Sequence, residues 1–108
     1  MELSERMIQK YPKNFQSCFD FWISKGWESL VEKLIDDVIA IDPKIKIQQI
    51  KQKFGGLRFY VERYNKDVDQ LIEKAEIESE SICEVCGAPG KIVEKNYWLQ
   101  CVCEEHAK

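Results

Sequence analysis

Cys83 and Cys86 stand three apart, with Gly87 directly after the second, and Cys103 and His106 repeat that spacing near the C-terminus. Three thiolates and an imidazole are the donors of a closed tetrahedral zinc site. Two cysteines in so tight a turn aim both sulfurs at one point, and Gly87 supplies the positive φ that turns backbone N–H groups toward them. The first pair therefore reads as a zinc knuckle, and Cys83, Cys86, Cys103 and His106 as the ligands of a structural Zn2+. Cys101 competes for a place. It lies two residues before Cys103 on the same strand face, so an all-cysteine set of Cys83, Cys86, Cys101 and Cys103 stays open. The set with His106 is preferred because its spacing mirrors the first pair. A disulfide framework fits less well: five cysteines are odd in number and no secretory leader is recognisable, which points to a reducing, cytoplasmic setting. Cys18 has no spaced partner and reads as a buried thiol.

Four protein ligands leave the metal no open position for a reacting water. The chain has one histidine. With that residue on the metal, neither a Ser-His-Asp nor a Cys-His system can be assembled, and a His-Asn-His nuclease site lacks its further histidines. A zinc deaminase needs a ligand histidine with a glutamate two residues on, ahead of its C-x2-C, and none is present. The expectation is a protein that binds rather than catalyses.

A second group of chemistry-bearing residues surrounds Gly55-Gly56: Lys51, Lys53, Arg58 and Tyr60. The segment from Ile45 to Tyr64 reads as a β-hairpin whose type I′ turn is that glycine pair. In that register Lys53 pairs with Arg58, Gln52 with Phe59, Lys51 with Tyr60 and Ile50 with Val61. Ile50, Phe54, Leu57, Phe59 and Val61 then share the core face, and the three cations and Tyr60 the other. Strict alternation would place Ile45 and Ile47 on the cationic side, so a bulge near Gln48-Gln49 is expected. Three cations beside an aromatic ring, with glycines that let a ligand approach the backbone, can hold one or two phosphates and a base. The plain alternative is a solvated face whose charges protect an edge strand.

The elements that must position these groups follow from periodicity. Trp27, Leu30, Val31, Leu34, Ile35, Val38 and Ile39 mark the buried stripe of a helix stopped by Pro43. A second amphipathic helix runs from Val68 to about Ile82, capped by Asn65 or Asp67, with Val68, Leu71, Ile72, Ala75 and Ile82 inward. Its outer side carries Asp69, Glu73, Glu76, Glu78 and Glu80, a solvated acidic surface. Ser4 to Tyr11 forms a short helix capped by Ser4, with Leu3, Met7, Ile8 and Tyr11 inward. Phe15, Phe19, Phe21, Trp22 and Trp27 cluster closely enough to read mostly as core. In the metal segment, Lys91-Glu94 and Tyr97-Gln100 form strands around Lys95-Asn96, and His106 opens a short terminal helix.

The fold class expected is α+β: two amphipathic helices packed on a β-hairpin, with a C-terminal, treble-clef-like zinc-knuckle hairpin. Residues 1–82 form the body and 83–108 a metal unit packed on it, together one compact domain. A 108-residue chain builds a modest core and gains from a metal staple. No apolar run is long enough for a membrane span. Sixteen Lys and Arg against nineteen Asp and Glu leave a net charge of −3, which disfavours wholesale attraction to a long polyanion and suits a small anionic ligand on a local basic patch.

The strings Gln49-Ile50-Lys51-Gln52-Lys53-Phe54-Gly55-Gly56-Leu57-Arg58-Phe59-Tyr60 and Cys83-Glu84-Val85-Cys86-Gly87-Ala88-Pro89-Gly90, with Gly26-Trp27, Trp98-Leu99 and Cys103-x2-His106, resemble a family of small, largely uncharacterised bacterial and phage proteins. Cys101 departs from that pattern. Phage membership implies an accessory or anti-defence role in the host cytoplasm. Together the readings lead to a non-catalytic nucleotide-binding protein, one that sequesters a nucleotide signal of host immunity. Two other classes stand beside it: a nucleic-acid-binding zinc protein with Lys91, Lys95, Tyr97 and Trp98 as contacts, and an inhibitor or adaptor acting through the acidic helix. A homo-oligomer is compatible with each.

Overall fold

The computed structural model describes residues 2–107; the extreme residues of the expected body and metal unit, Met1 and Lys108, lie outside it. It is an α+β structure. Among the described residues, helices α1 (Leu3–Lys10), α2 (Glu28–Ile41) and α3 (Lys66–Ser79) accompany a sheet of β1 (Asp20–Phe21), β2 (Ile47–Lys53) and β3 (Gly56–Val61), and a separate hairpin of β4 (Lys91–Lys95) and β5 (Trp98–Val102). No helix of the described residues is long and apolar enough to cross a membrane.

The core is the one the helical periodicity demands. Trp27, Val31, Leu34, Ile35, Val38 and Ile39 of the α2 stripe are buried with Val68, Ile72 and Ala75 of α3 and Ile50, Leu57 and Phe59 of the sheet. Leu30 and Leu71 are partly buried at its margin. A 3₁₀ turn, Lys25–Trp27, leads into α2, and the cap of α3 is Asn65, whose Oδ1 accepts from the N–H groups of Asp67 and Val68. α1 begins without a side-chain cap: Ser4 lies inside the helix and Ile8 is exposed, while the Tyr11 hydroxyl donates to Asp36 at 2.6 Å.

The hairpin differs from expectation by its turn. The two loop residues are Phe54 and Gly55, with φ of 54° and 83°, because Lys53 pairs with Gly56. Ile50 therefore faces Phe59, Gln52 faces Leu57 and Lys51 faces Arg58. The packing reason is that this register sets two large buried side chains, Ile50 and Phe59, directly opposite one another. Phe54 leaves the core for the tip, where it is 66% exposed. Shifting a turn by one residue moves pairing by two, so each remaining side chain keeps its face. The bulge falls between Ile47 and Gln49, and Ile45 and Ile47 are both fully buried.

Two further departures come from tertiary contacts. The aromatic segment supplies a short strand, β1, parallel to β2, which leaves Phe19 and Trp22 exposed while Phe15 and Trp27 are buried. β3 is an edge strand whose N–H groups would otherwise face water, and α3 satisfies them: Leu57 N–H donates to Ser79 Oγ at 2.9 Å and Phe59 N–H to Glu76 Oε2 at 3.0 Å. Glu76 is thus half-buried rather than part of a solvated acidic surface, and burial pushes its carboxyl above the ordinary range.

The C-terminal segment is docked by the backbone around Gly26. The Gly26 N–H donates to the Glu84 carbonyl at 2.7 Å and the Trp27 indole N–H to the Ile82 carbonyl at 2.9 Å. A Cβ on Gly26 would overlap the Cys83 carbonyl and stand 2.6 Å from the Glu84 carbonyl carbon. Overpacking against backbone costs about 1–3 kcal/mol, so Gly26→Ala should lower the melting temperature by roughly 5–15 °C in a circular-dichroism melt. An unchanged melt would show that this contact does not hold the two parts together.

Candidate metal centre and the surfaces around it

The knuckle forms where α3 ends. Ile82 pairs with Pro89 in an isolated bridge, Cys83 N–H donates to Ala88 O at 2.7 Å, and Gly87 N–H returns to Cys83 O at 2.9 Å. Gly87 has the positive φ, 83°, that this reversal needs. β5 then carries the chain back beside the knuckle: Glu84 N–H donates to Cys101 O at 2.9 Å, and Cys103 follows just past the strand end. Cys103 to Ala107 is a single turn closed by Ala107 N–H to Cys103 O, not the start of a helix; one turn suffices to fold His106 back over Cys103.

These segments bring Cys83, Cys86, Cys103 and His106 together, with all four donor atoms within 4.8 Å of one another. Cys86 Sγ lies 3.7 Å from Cys103 Sγ, and His106 Nδ1 lies 3.6 Å from Cys83 Sγ and 3.1 Å from Cys103 Sγ. A tetrahedral ion bound to sulfur at about 2.3 Å and nitrogen at about 2.0 Å would set two sulfurs about 3.8 Å apart and sulfur and nitrogen about 3.5 Å apart. The donor set fits such an ion, with Nδ1 as the imidazole ligand. Cys101 is not a ligand. It is fully buried in the hydrophobic core, and burial pushes its thiol up to about 11, against the thiolate that a metal requires.

The local electrostatics favour a bound cation. Burial raises the Cys83 thiol, but the backbone N–H groups of Cys103, Cys86 and Val85 outweigh it and hold the group at about 6. The Cys103 and Cys83 sulfurs raise the His106 imidazole. Cys18, apart from all this, is partly buried, its Sγ 3.7 Å from the Asp20 carbonyl and its thiol raised by burial.

The residues expected to bind a ligand are also brought to one face. Lys51 stands directly across from Arg58 and Gln49 from Tyr60, with Lys53 beside Gly56, all on the face opposite Ile50, Leu57 and Phe59. Among the described residues, none of Lys51, Lys53 and Arg58 makes an ion pair within 4 Å. Arg58 donates to its neighbour's carbonyl, Leu57 O, at 3.0 Å and feels the Glu76 carboxylate nearby. Gly56 is buried in the strand; a Cβ there would meet Arg58 Nη1 at 3.3 Å and Glu80 at 3.6 Å. Gly55, at the tip, packs on the metal hairpin, where an added Cβ would stand 3.1 Å from Ile92. The glycines therefore serve the turn and the close approach of two hairpins.

The contacts expected for nucleic acid spread along the metal hairpin. The turn of the metal hairpin is Asn96-Tyr97 rather than Lys95-Asn96, since Lys95 pairs with Trp98, and Lys91 stands at the opposite end of β4, about 13 Å away along the strand. The acidic residues of α3 are divided as well. Glu76 turns to β3, whereas Glu78 lines the groove between α2 and α3 with Lys33 and Lys74.

Elemental analysis of the purified chain should find one metal ion per molecule, lost in Cys83→Ser and His106→Ala with a lower melting temperature, and kept in Cys101→Ser. Retention in both of the first pair would refute the ligand set. Because the ligands must be thiolates and a neutral imidazole, affinity against a competing chelator should weaken steadily as pH falls, since the Cys86 thiol and the His106 imidazole hold their protons more tightly than usual and the Cys83 sulfur takes up its own at about 6.

No family model, curated protein or solved structure matches this chain.

Proposed function

We propose that the chain is a non-catalytic, zinc-stabilised binding protein for a small phosphate-bearing ligand of the nucleotide class. Three thiolates and one imidazole in closed tetrahedral array suit Zn2+ above other divalent ions and leave no open position for catalysis. Bound there, zinc would tie the knuckle to the last turn of the chain and so steady β4 and β5. The free state of its cysteines suits a reducing compartment, the cytoplasm.

One observation carries the ligand reading: Lys51 and Arg58 face each other across β2 and β3, with Lys53 and Tyr60 beside them, and among the described residues none of the three cations makes an ion pair within 4 Å, Glu76 and Glu80 standing near Arg58 beyond that distance. A dianionic phosphate between them would gain charge-assisted hydrogen bonds without displacing an existing ion pair. The resemblance to bacterial and phage proteins extends this to a phage-encoded member that sequesters a nucleotide signal in the host cytoplasm. A second reading has its own support. β1 continues its ladder to Trp22, whose N–H donates to Ile50 O at 2.9 Å, so alternation sets this exposed aromatic beside Lys51. An open sheet face with aromatics at its flanks also suits single-stranded nucleic acid.

A thermal-shift series over nucleotides separates these. Saturation at a hundred times Kd stabilises by about 2.7 kcal/mol, roughly a 10 °C shift for a chain of this size. One nucleotide class should give that shift, and Lys51→Ala/Arg58→Ala should abolish it while melting normally on its own. Full retention of the shift in that variant removes the sheet face as the site. Binding that collapses with salt and accepts any oligonucleotide would favour the nucleic-acid reading.

A further inference from the structure

The tip of the main hairpin rests on Ile92 of β4, and between it and the turn of the metal hairpin lies a cleft of about 450 Å³ walled by Lys53, Phe54, Glu94, Tyr97, Trp98 and Leu99. We infer that this cleft holds the planar base of the nucleotide, with its phosphate directed past Lys53 onto the cationic sheet face. The inference rests on the ligand class just proposed and adds a separate subsite to it.

The residue types at the two turns suit a planar guest. Phe54 and Tyr97 occupy backbone conformations with φ of 54° and 65°, where glycine or asparagine is at ease and a bulky aromatic is strained. Neither is there for the sake of its turn, and neither is there for the core, since Phe54 is 66% and Tyr97 96% exposed. Trp98, beside Tyr97, is 62% exposed. Three aromatic rings are thus exposed around one concavity, two of them on backbone that a smaller residue would hold with less strain.

The cleft is also preorganised. Gly55 lies against Ile92 and the Gln100 backbone, and the Gln52 side-chain amide donates to Leu99 O at 3.0 Å. The walls come from different hairpins and are fixed to one another before any ligand arrives, and the metal site anchors one of them. Charge acts in the same sense. Lys53 Nζ stands 5.4 Å from the centre of the Phe54 ring and belongs both to the cleft and to the row with Lys51 and Arg58, so an anion carried by a stacked ring falls next to it. Glu94 supplies an acceptor for an exocyclic amine on the opposite wall.

The test uses Phe54→Asn. Asn-Gly is the favoured type I′ pair, so this variant should melt at or above the wild-type temperature while losing the aromatic wall. Isothermal titration with adenosine 5′-monophosphate, adenosine and inorganic phosphate should rank them in that order for the wild type. Phe54→Asn and Trp98→Ala should each weaken the monophosphate by roughly tenfold or more, and Trp98→Phe should restore most of the loss. Unchanged affinity in the well-folded Phe54→Asn variant overturns the inference. If Lys51→Ala/Arg58→Ala still binds while Phe54→Asn does not, the cleft stands and the sheet-face reading falls; the converse leaves the sheet face and removes the cleft. A short single-stranded oligonucleotide that binds far tighter than the monophosphate would assign the cleft to a nucleic-acid strand and overturn the free nucleotide as occupant. Silence of the wild type toward nucleotides of all four common bases sinks both.

Discussion

The backbone of Gly26 runs so close to the peptide of Cys83 and Glu84 that no side chain fits between them, and the indole of the next residue, Trp27, donates across the same seam to Ile82. Trp27 is at the same time fully buried in the main core. This contact makes the metal-binding segment part of the body. The main core and the C-terminal hairpin are each small, and the hairpin buries little of its own surface: β4 is exposed along most of its length. Cys101 and Val102 extend the buried surface into β5, and the four metal donors close the remaining end. A two-stranded ribbon is marginal alone in water, so the seam must order it, and a metal held by the four donors would share that work.

Once the ribbon is held, its position relative to the sheet is decided, and with it the surface chemistry. The tip of the main hairpin rests on Ile92 through Gly55, which brings Phe54 and Trp98 to one cleft although they lie far apart in the chain. The opposite face of the sheet carries Lys51 against Arg58, with Glu80 beside Gly56. α3 takes care of the exposed edge of β3 with Ser79 and Glu76, so the cations are not needed to blunt that edge. Among the described residues none of these cations makes an ion pair within 4 Å, on a chain whose net charge is −3.

Both hairpin tips break a local rule in the same way, placing an aromatic residue where the backbone is left-handed. At the main hairpin an Asn-Gly turn would have been the less strained choice, and the glycine it needs is already there at Gly55. Conflicts between local preference and tertiary placement that recur at one spot concentrate where a protein meets something else.

Residue spacing alone brought out Cys83, Cys86, Cys103 and His106 as the preferred metal donors, the buried stripe of α2 and the bulge that keeps Ile45 and Ile47 inside, because each is a local pattern: a C-x2-C turn, a 3.6-residue period and a broken alternation. It also determined that Lys51, Lys53, Arg58 and Tyr60 share a face, since strand parity survives a turn displaced by one residue. Only the tertiary structure decided the rest. Whether Phe54 or Gly56 takes the loop depends on which register pairs Ile50 with Phe59, a gain in the core that no local glycine signal reveals. Cys101 and His106 compete for the fourth position along the chain, but the first is claimed by the core, whereas the turn after Cys103 folds the second back beside the other three donors. Glu76 reads as one more surface carboxylate until β3 is laid beside it, and β1 exists because β2 offers an edge. Such choices are made by packing between distant segments, where the energy of burial outweighs the preference of any short stretch.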